Sequence, residues 1–168
     1  SLLGVMTSGL LRGVLIGAII SLVQLLRRAA RPHVAFLGRI PGTRRFSDRE
    51  RHPDNELIPG VLIFRPEANL IYFNVDSVRD TIAERVRAEA PPPKLVIIDF
   101  SAAPYVDLQS AHTLAGLADE LTARGIRVHV VETRSAVREL LRREGLDTRL
   151  GGIDRFTSVA DVVDEIQT

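Results

Sequence analysis

The feature that most constrains this chain is a long apolar stretch close to its N-terminus. Residues 13–26 contain no charged side chain, and Arg27, Arg28 and Arg31 follow them. Arginines that flank an apolar span are retained on the cytoplasmic side of a membrane. The sequence therefore predicts a membrane-embedded N-terminal segment in the inner (plasma) membrane, with the rest of the chain in the cytoplasm.

The length of this segment leaves two arrangements open. A helix over residues 13–26 would be about 21 Å long, which is less than the hydrocarbon core of roughly 30 Å. One helix over residues 2–26 would be long enough, but it would place Arg12 near the bilayer centre at a cost of about 2.5–3.5 kcal/mol. The alternative is two short helices with a break at Ser8, Gly9 and Gly13. Such a break is tolerable at that depth only where other protein surrounds the backbone.

The composition of the remaining chain fits one compact domain. The chain has 168 residues, and those after the apolar stretch suffice for one core but not for two. The absence of cysteine excludes disulfides and thiolate metal sites. Residue 1 is serine and not an initiator methionine. We therefore expect the chain to be the C-terminal part of a larger membrane protein.

Charge is distributed unevenly along the chain. Between residues 27 and 51, eight arginines oppose two acidic residues, which leaves a net charge of +6. Residues 52–168 contain thirteen basic and nineteen acidic residues, which leaves a net charge of −6. A basic segment directly after a span can lie on anionic headgroups, each charge contributing about 1 kcal/mol. Because the following domain is acidic and poor in aromatics, the membrane surface is favoured over nucleic acid as a partner.

Hydrophobic periodicity predicts an α/β domain after the basic segment. Four prolines and many charges between residues 29 and 59 predict a largely irregular connector. Residues 61–64 and 70–73 predict a β-hairpin, and residues 95–98 and 128–131 predict two further strands. Helical spacing predicts four helices, around residues 75–86, 108–121, 137–141 and 159–166. Asn74 and Ser158 are expected to open the first and the last of them.

This alternation predicts a mixed, mostly parallel sheet packed with about four helices. The corresponding domain division is a transmembrane segment at residues 1–28, a basic connector at residues 29–56 and a folded domain at residues 57–168.

Several segments, taken in their order, resemble the C-terminal region of SulP-type anion transporters. They are LGRIPGT at residues 37–43, IPGVLIFR at 58–65, LIYFN at 70–74 and VIID at 96–99. In that family this region joins the last transmembrane helices to a cytoplasmic STAS domain, a fold shared with bacterial anti-sigma-factor antagonists. The resemblance implies a STAS-like fold and a regulatory or assembly role in a secondary transporter of sulfate, bicarbonate or dicarboxylates. It also implies a homodimer and contacts with other domains of the parent transporter.

The loop before residue 108 departs from the antagonist pattern. Antagonists carry Asp-Ser-Ser-Gly there, and their second serine is phosphorylated at the start of a helix. The resemblance matches Asp107 to the aspartate and Gln109 to the phosphoacceptor, and it places Ser110 at the glycine. Gln109 cannot accept a phosphoryl group, so Ser110 is a hypothetical substitute acceptor, and Asp107 is either part of the motif or a plain helix N-cap. These three residues form the candidate regulatory loop.

The sequence contains no motif for catalysis, metal binding or cofactor binding. Ser110 and His112 are two residues apart on a predicted helix and therefore point in different directions. There is no G-x-S-x-G elbow, H-x-x-x-H pair, Walker loop or G-x-G-x-x-G pattern. We expect a non-enzymatic domain without catalytic residues, cofactor or metal. The alternative is a membrane-anchored signalling module that binds a nucleotide or a regulatory protein, or responds to phosphorylation.

Overall fold

The N-terminal segment forms one continuous helix. The computed structural model describes the backbone of residues 2–167 and the side chains of residues 9–167. It divides into two compact units, Ser1–Arg31 and Pro32–Thr168. Helix α1 spans Leu2–Ala30, which makes it about 43 Å long at 1.5 Å per residue. Residues Gly9–Ala30 have a mean hydropathy of 2.0, so α1 is long and apolar enough to cross a membrane. The two-helix alternative is therefore wrong.

The second unit is built on a five-stranded mixed sheet. Its strands are β1 (Val34–Arg39), β2 (Phe46–Asp48), β3 (Val61–Pro66), β4 (Leu95–Asp99) and β5 (Arg127–Val131). Their order across the sheet is β2-β1-β3-β4-β5. β1 pairs antiparallel with β2 and β3, whereas β3, β4 and β5 are parallel to one another. The predicted mixed sheet is confirmed, and two of its four strand pairings are parallel.

Four α-helices cover both faces of this sheet. They are α2 (Val75–Ala88), α3 (Leu108–Ala123), α4 (Ser135–Arg143) and α5 (Val159–Gln167), and a short 3₁₀ turn spans Thr148–Leu150. Alternate residues of each strand enter opposite cores. Leu62 and Phe64 pack with α2, α3 and α4, while Val61 and Ile63 pack with α5. All five residues of β4 are buried, as expected for a strand covered on both faces.

The prediction of a largely irregular connector between residues 29 and 59 is wrong. The segment supplies β1 and β2, and β1 pairs with β3 through Ala35 and Phe36. Ala35 and Leu37 lie in the core covered by α5. The alternating apolar pattern of β1 is short and lies between Pro32 and Pro41. Because proline is typical of turns and loops, the two prolines favoured the prediction of an irregular segment. The domain boundaries at residues 28 and 56 remain a prediction, although β1 and β2 belong to the same sheet as β3.

The predicted hairpin partner of β3 is also wrong. Leu70 makes only an isolated parallel bridge to Val106, and the residues after it turn directly into α2. The segment contains Ile71, Tyr72 and Phe73, which are residue types favoured in strands. That preference reflects packing on a half-buried pleated surface, which residues 71–73 do not have.

Gly151 lies against the edge strand β5. Its φ is +92°, and a Cβ atom built on it would lie 2.8 Å from the Val128 carbonyl oxygen and 2.9 Å from the Cα of His129. The neighbouring Gly152 has a similar φ of +77°, but no described atom lies within 4 Å of its Cβ position. An alanine at either position would have a strained backbone, but only an alanine at residue 151 would also collide with neighbouring atoms.

We expect Gly151→Ala to destabilise the protein more than Gly152→Ala. Both substitutions carry the cost of a left-handed backbone, about 1–2 kcal/mol. Only Gly151→Ala adds overpacking against backbone atoms, which typically costs about 1–3 kcal/mol. Thermal unfolding of the chain in detergent micelles, followed by circular dichroism, measures the difference. Equal melting temperatures for the two variants would contradict this account.

Candidate functional site

The candidate regulatory loop lies where β4 leads into α3. Asp107 is the N-cap residue of α3, and its Oδ1 accepts a 2.8 Å hydrogen bond from the Ser110 backbone N–H. Its Oδ2 accepts a 2.7 Å hydrogen bond from the backbone N–H of Tyr72, in the loop before α2. The Asp107 carboxylate therefore caps one helix and at the same time binds the loop that precedes another.

Two backbone hydrogen bonds reinforce the connection between these loops. The N–H of Leu70 donates to the Tyr105 carbonyl at 2.9 Å, and the N–H of Asp107 donates to the Leu70 carbonyl at 3.0 Å. Side chains on the two loops are thus held in fixed positions relative to each other.

The pKa of Asp107 lies below its ordinary value. Burial raises this pKa, but hydrogen bonds donated by Ser110 and Tyr72 favour the charged form and outweigh burial. The N-terminal end of α3 also favours negative charge. Asp107 is therefore ionised at neutral pH, as its two hydrogen bonds require.

Gln109 and Ser110 occupy different environments in the first turn of α3. Gln109 is exposed, whereas Ser110 is completely buried. The position that is open to solvent thus carries an amide, and the only hydroxyl in this turn is inaccessible unless the helix end opens locally.

Four large apolar side chains are exposed on the two connected loops. Their exposed fractions lie between 38% and 70%, and we call them the apolar loop surface; they are Tyr72, Phe73, Tyr105 and Leu108. The rings of Tyr72 and Phe73 contact each other edge to face, with centroids 5.8 Å apart. Exposed apolar groups that cluster at one place are typical of interaction sites.

Sequence reasoning missed the apolar loop surface because it assigned Tyr72 and Phe73 to a strand and Leu108 to a buried helix face. One local signal could have found it. Asn74 is the N-cap residue of α2, so Tyr72 and Phe73, which directly precede it, lie outside the helix.

Two arginines of the basic segment bind α5. Arg44 contacts Asp161 at 3.0 Å and Asp164 at 2.8 Å, and Arg39 lies 3.8 Å from Asp164. These pairs are largely exposed, so each contributes at most about 1 kcal/mol. These two arginines therefore connect the β1–β2 hairpin to α5. The predicted contact of the basic segment with anionic headgroups depends mainly on its other arginines.

Asp107→Ala should destabilise the protein by about 1–2 kcal/mol at neutral pH, because it removes the N-cap and the acceptor of the Tyr72 N–H. The pKa of Asp107 is lowered in the folded state, so the stabilisation by its carboxylate is complete above the unfolded-state pKa of about 3.9. This stabilisation is lost as the pH falls through the folded-state pKa. Thermal unfolding at neutral pH and at about pH 3 measures both effects.

The matched control is Asp54→Ala, which removes an exposed carboxylate. If Asp107→Ala were as stable as this control at neutral pH, the role assigned to Asp107 would be wrong.

Comparison with known proteins identifies the family. The STAS domain family model matches residues 52–162. "Probable sulfate transporter 4.2" of Arabidopsis thaliana is 29% identical over 160 aligned positions, and the alignment covers 90% of this chain and 24% of that protein. The chain thus spans about a quarter of the length of this relative.

Two solved structures share the fold. The murine Solute Carrier 26 family member A9 anion transporter matches with a TM-score of 0.77 and 20% identity, over 93% of this chain and 25% of its own. The SulP transporter STAS domain of Vibrio cholerae matches with a TM-score of 0.56 and 19% identity, over 70% of this chain and 92% of its own. The resemblance found in the sequence is confirmed: the chain belongs to the STAS domain family, and its relatives are sulfate transporters of the SulP type.

Proposed function

We propose that this chain is the cytoplasmic regulatory and assembly part of a SulP-type secondary anion transporter. A helix that is long and apolar enough to cross a membrane precedes a STAS fold, and relatives named as sulfate transporters are about four times as long as the chain. The names of these relatives favour sulfate within the class of sulfate, bicarbonate and dicarboxylates. Arg27, Arg28 and Arg31 support a cytoplasmic position for the domain.

The observation that carries this proposal is the apolar loop surface. Tyr72, Phe73, Tyr105 and Leu108 are exposed on loops that hydrogen bonds hold in place. The chain includes only about a quarter of the length of its sulfate-transporter relative, so most of a protein of that kind lies outside the structure. We assign the apolar loop surface to contact with the membrane part of the same protein.

Such a contact would regulate transport by biasing conformations. A domain shifts an equilibrium only if it binds one conformation more tightly than the other. Full burial of one large apolar side chain contributes about 1.5–3 kcal/mol. Tyr72 and Tyr105 are 70% and 56% exposed, so burying the exposed part of both in one conformation only would contribute about 2–4 kcal/mol and change the population ratio by about twentyfold or more. Only residues 31–33 separate α1 from β1 in sequence. This short connection favours mechanical coupling between the domain and the membrane segment.

The proposal predicts that Tyr72→Ser combined with Tyr105→Ser changes sulfate uptake or transporter assembly. The substitutions remove apolar contact area while leaving the buried core intact, because both side chains are more than half exposed. The variants are made in the full-length transporter, and labelled sulfate uptake is measured in cells after correction for the amount of protein in the membrane.

The matched control is Phe156→Ser. Phe156 is 74% exposed and precedes α5, which packs on the sheet face opposite to α2 and α3. Uptake and oligomer size that are unchanged in the double variant, or changed equally in the control, would contradict the proposal. Light scattering of the same preparations tests the homodimer, which remains a prediction.

The alternative function, a membrane-anchored signalling module, requires that Ser110 accept a phosphoryl group or that the loop bind a nucleotide. Because Ser110 is buried and Gln109 holds the exposed position, we expect incubation with the cognate kinase to leave the intact mass unchanged. Phosphate on Ser110, or a spectral shift on titration with GTP or ATP, would favour the signalling module.

A further inference from the structure

A histidine and two carboxylates converge beside the β1–β2 hairpin. His33 directly precedes β1, Asp48 ends β2, and Glu50 follows two residues later. Each of the three offers one ligand atom, and these atoms all lie within 4.8 Å of one another. The antiparallel pairing of β1 with β2 brings His33 close to Asp48, fifteen residues further along the chain.

The Asp48 carboxylate is buried, and both of its oxygens make contacts that orient it. It is only 4% exposed, although it lies on the outermost strand of the sheet. Its Oδ1 accepts a 2.9 Å hydrogen bond from the Glu50 N–H, and its Oδ2 lies 3.2 Å from the His33 Nε2. These two contacts hold the carboxylate in one orientation.

The distance between His33 and Asp48 fits a small tetrahedral coordination sphere, and the exposed Glu50 carboxylate lies within 4.8 Å of both. Two ligands at about 2.0–2.1 Å from Zn²⁺ in tetrahedral geometry lie about 3.3 Å apart. The distance of 3.2 Å between the His33 Nε2 and the Asp48 Oδ2 is close to that value. One imidazole nitrogen and two carboxylate oxygens are a ligand set that suits Zn²⁺, and two negative charges balance a divalent cation.

We propose that His33, Asp48 and Glu50 bind a divalent transition-metal ion of the Zn²⁺ type, with water as the fourth ligand. Without metal, His33 and Asp48 form a hydrogen bond. Metal binding would join the residue before β1 to the end of β2 and so stabilise the outer hairpin of the sheet. The inference does not depend on the transported anion.

Arg51 is the competitor of the metal at this place. Its Nε lies 3.6 Å from the Asp48 Oδ2, and its side chain is 71% exposed. The guanidinium can therefore leave when a cation enters, but its charge lowers the affinity for that cation. Arg51→Gln should consequently bind Zn²⁺ more tightly than the wild type does.

The test is a calorimetric titration of the chain with ZnCl₂ after chelator treatment, in detergent micelles and without a histidine tag. We expect one site per chain, with an affinity that His33→Gln and Glu50→Gln each lower by about tenfold or more. His52→Gln is the matched control, because His52 is exposed in the same region but does not belong to the cluster. Asp48 is left unchanged, since its hydrogen bonds also shape the turn after β2.

Three outcomes would overturn the proposal. They are no detectable binding of Zn²⁺, binding that persists unchanged in His33→Gln, and weaker binding in Arg51→Gln. Thermal unfolding provides a second measurement, because a ligand that binds only the folded state raises the melting temperature. Zn²⁺ should raise the melting temperature of the wild type and of His52→Gln by more than that of His33→Gln.

Discussion

The candidate site depends on the two hydrogen bonds that the Asp107 carboxylate accepts. One bond comes from the first turn of α3, and the other comes from the loop that leads into α2. Exposed apolar side chains can serve as a specific contact surface only if their loops keep one arrangement, because ordering mobile loops would cost conformational entropy on binding. A single N-cap thus orders both helix starts and the surface between them.

The antiparallel pairing of β1 with β3 determines where the sheet begins along the chain. It incorporates the segment that follows α1 into the sheet, so only residues 31–33 lie between α1 and the first strand. The ion pairs of Arg39 and Arg44 with α5 add contacts between the hairpin and the last helix.

Much of the fold could be predicted because its elements have strong periodicity. The apolar spacing of α2 through Val78 and Ile82, and the continuous apolar run of β4, are local properties of the sequence. The strand β1 was missed since prolines and arginines surround a pattern of only a few residues. Residues 70–73 were misassigned because residue type alone does not reveal whether a second strand is available as a partner.

Local sequence patterns predict the apolar helix and the helix cap at Asp107, and the structure contains both. Each of these follows from residue types within a few positions of one another. The burial of Ser110, the hydrogen bond from the Tyr72 N–H to Asp107 and the proximity of His33 to Asp48 follow from the tertiary structure. These depend on strand order and on contacts between loops that are far apart in sequence, and no local pattern encodes which distant segments become neighbours.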